Sequence, residues 1–80
     1  MYISANVANR IKEQCKIKNV AIKEMLENCR LSKNALSSML SGGSMPKSEN
    51  LARIADYLDC SVDYLLGRTD NPNSHKNLPN

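Results

Sequence analysis

The sequence predicts an all-α fold: five short helices packed into one compact domain. Three observations predict it. Apolar residues recur every three or four positions in five separate stretches. No stretch alternates with period two, and no Asn-Gly or Asp-Gly turn occurs. Residues that start or stop helices (Ser4, Asn19, Ser32, Gly42, Gly43, Ser61 and Gly67) fall between the stretches. Eighty residues leave room for a single small core.

The first helix is expected over 4–16, capped by Ser4, with Val7, Ala8, Ile11 and Cys15 on its buried stripe. Asn19 can end it in the left-handed conformation, with Val20 as the apolar anchor that follows. The second helix is expected over 21–29, with Ile22, Met25, Leu26 and Cys29 on one face. Arg30 and Leu31 then form a very short connection to a third helix over 32–41, capped by Ser32. Two helices this short on so tight a turn have the helix-turn-helix geometry. Pro46 and Ser48 mark the start of a fourth helix over 47–58, striped by Leu51, Ile54, Ala55 and Leu58. Ser61 caps the fifth, over 61–66, which carries Val62, Leu65 and Leu66 and stops at Gly67. The domain is thus expected to span 1–67, with 68–80 as a flexible polar tail holding two prolines and no helical period.

Composition excludes several classes. Apolar residues make up 41% and charged residues 24%, the balance of an ordinary globular domain rather than a disordered chain. The apolar runs are too short for a membrane span, and the first residues lack the charged start and apolar stretch of a secretion signal, so a cytoplasmic location is expected. Cys15, Cys29 and Cys60 are widely spaced and His75 lies in the tail, which suits neither a zinc site nor a disulfide framework. No cofactor or metal is expected. Catalysis is disfavoured too: there is no glycine-rich phosphate loop, no Cys–His neighbourhood and no carboxylate pair in a plausible cleft. Recognition of RNA bases by stacking would need exposed aromatics, and the chain has only Tyr2, Tyr57 and Tyr64.

The net charge of +3 is unevenly placed. Residues 1–48 carry eight basic side chains against three acidic ones, whereas 49–80 carry three against five. One basic half suits a polyanion, although a merely solvated basic surface has the same composition. On the third helix, at about 100° per residue, Ala35, Leu36, Met39 and Leu40 form one apolar arc. Lys33, Asn34, Ser37, Ser38 and Ser41 form the opposite arc, without a carboxylate. Short polar groups let a helix approach a surface closely, and Asn, Lys and Ser are side chains that read base edges in the major groove. The plainer account is a short helix whose polar side chains are only solvated.

The text from Ile22 to Met39, then Gly42, Pro46, Leu51 to Leu58 and Ser61 to Gly67, resembles the phage-repressor-like helix-turn-helix family, the XRE or Cro/CI-type regulators. The likeness covers about three-fifths of the chain, from Val20 to Gly67, and is most specific in the run from Ser61 to Gly67. It implies a lambda-repressor-like domain that binds double-stranded operator DNA, with the third helix in the major groove. A palindromic operator and a homodimer through the fifth helix and residues 57–61 are the matching expectations. By position, the base-reading places fall on Lys33, Asn34, Ser37 and Ser38. Phosphate contacts are expected from Ser41, Gly43, Ser44, Lys47 and Ser48 around the start of the fourth helix.

Three departures stand out. A phosphate-gripping glutamine common in the family is replaced by Ile22, leaving Lys23 beside it as the candidate contact. The usual turn glycine is Arg30. An arginine–glutamate pair buried in some members is replaced by Cys15 and Leu40, expected as a packed apolar pair. The rival to a DNA-binding repressor is the same fold used as a protein-interaction module, such as an antitoxin or an antirepressor-binding regulator.

Overall fold

The computed structural model describes residues 3–43 and 45–72. Five helices lie among them: α1 (Ser4–Ile17), α2 (Ile22–Asn28), α3 (Ala35–Leu40), α4 (Ser48–Leu58) and α5 (Val62–Leu66). No helix among the described residues is long and apolar enough to cross a membrane. The all-α class holds, and the striping explains why. Val7, Ala8, Ile11 and Cys15 of α1 are buried against Met25 and Leu26 of α2, Leu36 and Met39 of α3, the Leu51–Ile54–Ala55–Leu58 stripe of α4 and Leu65 of α5. Helix α1 packs against each of the other four, most extensively against α3.

The helix ends follow one rule. In every helix the residue after the last turn is left-handed: Asn19, Arg30, Gly42, Asp59 and Gly67. Its successor donates its amide back to a carbonyl five residues earlier, as in Val20 to Cys15 at 2.8 Å, Leu31 to Leu26 at 2.9 Å and Cys60 to Ala55 at 2.9 Å. This is the Schellman closure, which satisfies carbonyls that would otherwise lack partners. Gly67 is also needed for space: the Arg10 guanidinium lies over it, and a Cβ there would stand 2.9 Å from an Arg10 nitrogen.

The helix starts depart from expectation. Ser61 does cap α5, its Oγ accepting from the Tyr64 amide at 2.9 Å. Ser4 does not cap α1, which is preceded by Ile3. Its buried hydroxyl instead donates to the Met39 carbonyl at the end of α3, 3.0 Å away. Ser32 makes no side-chain cap either. Its carbonyl accepts from the Ala35 amide at 3.1 Å, so Lys33 and Asn34 form a tight turn and α3 begins at Ala35.

Two packing expectations are corrected. Leu40 is 37% exposed while Cys15 is fully buried, so the two do not form a buried apolar pair. Burial on α3 is confined to Leu36 and Met39, one turn apart and both facing inward, which leaves Leu40 at the helix end uncovered. The chain after Gly67 also returns to the domain: the Ser61 amide donates to the Pro72 carbonyl at 2.9 Å. The tail expected from 68 is therefore tied down as far as 72, and 73–80 lie outside the described residues.

Cys15, Cys29 and Cys60 are free and buried, as small apolar side chains would be. Burial pushes all three thiols above the ordinary value of 9.0, Cys60 to about 11, with nearby Lys18 only partly offsetting the effect.

Arg30 holds a left-handed backbone at φ 60° with a side chain attached. Arg30→Gly removes that steric cost at the expense of extra freedom in the unfolded chain, and is expected to stabilise the fold by about 0.5–1 kcal/mol. Thermal unfolding should then show a Tm higher by about 2–6 °C. A lower Tm would mean that the Arg30 side chain contributes more than the strain costs. The thiols set an alkaline limit. The folded state favours the uncharged Cys60 thiol, so its contribution is complete below pH 9.0 and is lost as pH rises towards about 11. Denaturant titrations across that interval should show falling stability, with a shallower fall in Cys60→Ala.

Candidate nucleic-acid interface

The surface presented by α3 begins with the turn before it. Because α3 proper starts at Ala35, Lys33 and Asn34 stand at its N-terminal mouth, while Ser37 and Ser38 lie on its outer side. All four side chains are exposed. None is engaged by a side-chain hydrogen bond or ion pair among the described residues, where the ion pairs are Arg53–Glu49 and Arg68–Asp63. Helix α3 carries no acidic residue in its first turn. The donors and acceptors of this face are free for an external partner.

Two depressions flank the face and divide the candidate residues between them. Lys23 and Lys33 line one of about 370 Å³, floored by Ile22, Leu26 and Leu31, with Glu27 as its acidic member. Asn34, Ser38 and Lys47 line the other, of about 390 Å³, which reaches Asn50 on α4. Leu31, the residue that closes α2, borders both. The structure thus brings Lys47 to the same hollow as two candidate base readers, although it lies nine residues beyond Ser38.

The expected phosphate contacts divide differently. Lys23, Lys47 and Ser48 are exposed, and Ser48 opens α4, where backbone amides lack helical partners. Ser41 and Gly43 are already engaged. The Ser41 hydroxyl donates to the Ser38 carbonyl at 3.0 Å. The Gly43 amide donates to the same carbonyl at 2.9 Å. Their protons hold the end of α3 rather than facing outward. Ser44 lies outside the described residues.

Sequence patterning missed two residues of this surface. Asn50, half-buried in the first turn of α4, reaches the hollow beside Asn34, and Met45 lines it while 38% exposed. Neither belongs to the α3 period, so no single-helix pattern could reveal them. An apolar residue two positions after a glycine pair, between two helices, is the local signal that Met45 offers.

The geometry agrees with what the chain resembles. The helix-turn-helix family model matches residues 11–65. Among solved structures, the N-terminal DNA-binding domain of SinR from Bacillus subtilis aligns at 30% identity and TM-score 0.68, over 78% of this chain and 91% of that one. SinR in complex with DNA aligns at 31% identity and TM-score 0.67, over 75% and 97% of the two chains. The clp gene regulator ClgR from Corynebacterium glutamicum aligns at 27% identity and TM-score 0.69, over 79% and 67%. No match is found among curated protein sequences. With the family pattern extending from inside α1 into α5 and the overall fold shared with these solved structures, the chain belongs to the XRE-type helix-turn-helix family.

Proposed function

We propose that this chain is a cytoplasmic, sequence-specific DNA-binding transcriptional regulator that acts as a repressor by occupying its operator. The observation that carries the reading is the outer face at the start of α3. Lys33, Asn34, Ser37 and Ser38 are exposed together and free of internal partners on a helix without carboxylates. Lysine donates to guanine O6 and N7, asparagine pairs with adenine N6 and N7, and serine serves either partner. Lys23, Lys47 and the amide end of α4 at Ser48 flank that face, where phosphates would hold the duplex in register. The family supports the same use, since SinR, similar over most of its DNA-bound chain, is a DNA-binding protein.

A single face of this size reads few bases, which favours a homodimer on a palindromic operator. Helix α5 is the candidate contact. Val62 and Leu66, four residues apart, remain half-exposed there. Tyr57 contributes less than its position suggested, because its hydroxyl donates to Glu24 of its own chain at 3.4 Å.

Duplexes selected from a random pool at two salt concentrations test the reading. We expect an inverted repeat with half-sites about 10 base pairs apart, bound with an affinity that falls steeply as salt rises. Absence of enrichment, or binding indifferent to salt, would favour the protein-interaction module instead. On the selected duplex, Lys33→Ala and Asn34→Ala should each cost about 1–3 kcal/mol and relax preference at one position. Lys47→Ala should weaken all duplexes alike and flatten the salt dependence. Sedimentation of the protein on its operator should report two copies, and Leu66→Asp should reduce self-association. One copy per palindrome would sink the homodimer.

A further inference from the structure

The hollow beside α3 holds more than the polar readers. Its wall is apolar where the helix and the following segment face each other. Ala35 and Met39 come from α3, and Met45 and Pro46 from the segment leading into α4. Asn34 and Ser38 stand on the same hollow. Met45 is one of the few large apolar side chains that the core leaves exposed, at 38%. Its position beside a candidate reading face gives that exposure a use.

An apolar wall within reach of base-reading side chains has one counterpart in the major groove. Thymine alone among the four bases places a methyl group there, and apolar side chains recognise it by contact. We propose that Met45, with Ala35 and Pro46, receives the C5-methyl of a thymine, making Met45 a specificity-determining residue of the DNA interface. The proposal rests on the DNA-binding reading above and adds one base identity to it. Asn34 at the same hollow pairs with adenine. The two contacts therefore fall on the same base pair or on neighbouring ones, and each half-site carries an A/T step at this place.

The dimensions suit an adaptable contact. At about 390 Å³ and open to solvent, the hollow is much larger than one methyl group, so its shape alone does not select. The unbranched thioether of Met45 can close over a methyl that enters and swing aside for a base that lacks one. Discrimination then comes from apolar surface removed from water, a modest and position-specific effect.

Deoxyuridine differs from thymidine only by that methyl group, so it isolates the contact. In the duplex selected as above, each thymine is replaced singly by uracil and the affinity measured for wild type and for Met45→Ala. For wild type, one thymine in each half-site should be sensitive, with binding about three- to ten-fold weaker after replacement. Met45→Ala should bind the thymine duplex that much more weakly, lose the sensitivity at that position alone, and retain the wild-type salt dependence and melting temperature. A selected duplex in which no thymine is sensitive, or a Met45→Ala protein that keeps the full wild-type sensitivity, overturns the proposal and leaves DNA binding standing. Failure of the selection to enrich any duplex overturns both.

Discussion

The anchoring of α3 against α1 is the constraint on which the rest of the structure depends. A helix of six residues is too short to persist by its own hydrogen bonds, so its conformation and direction come from what it packs on. Leu36 and Met39 supply that packing, and α1 is their principal neighbour. The bond from the Ser4 hydroxyl to the Met39 carbonyl fixes the far end, joining residues thirty-five apart in sequence. A buried hydrogen bond of this kind contributes about 1 kcal/mol net, and its geometry limits how α3 can rotate about its own axis. Rotation is the motion that matters, because it would carry Ser37 and Ser38 away from Lys33 and Asn34.

The same economy governs the helix ends. Five left-handed terminators compress five helices into a chain of eighty residues. Only two of them are glycine. Asparagine and aspartate tolerate the conformation with little strain, whereas arginine does not, and Arg30 sits between the two helices of the motif. Strain there is offset by burial on both sides: Cys29 before it belongs to the core, and Leu31 after it packs against the core.

Much of this was legible in the sequence, for a definite reason. Stripes at i, i+3, i+4 and i+7 are local records of burial, so the core residues of α1 and α4 could be named in advance. Stop residues are local as well, which is why Asn19, Gly42 and Gly67 could be assigned. The starts were less legible because serine has two uses. The Ser61 hydroxyl closes its own helix, whereas that of Ser4 reaches across the domain, and nothing within a few residues of either distinguishes the cases. The proposed reading face divides along the same line. The period of α3 identifies Ser37 and Ser38 as outward, but the closure that engages Ser41 and Gly43, and the hollow that gathers Met45 and Asn50, arise only when segments meet.

The placement of Ser4 bears on how the protein can be handled. The residue that opens the chain's first helix is also the residue that braces the far end of α3, and exposed Ile3 immediately precedes it. An affinity tag or fluorescent reporter joined upstream would therefore act next to the residue that braces α3, whereas Pro72 is held against the start of α5, the helix of the proposed dimer contact. For fusions, labelling or immobilisation on a sensor chip, the carboxyl-terminal side spares the brace on α3, and the amino-terminal side spares the surface of α5.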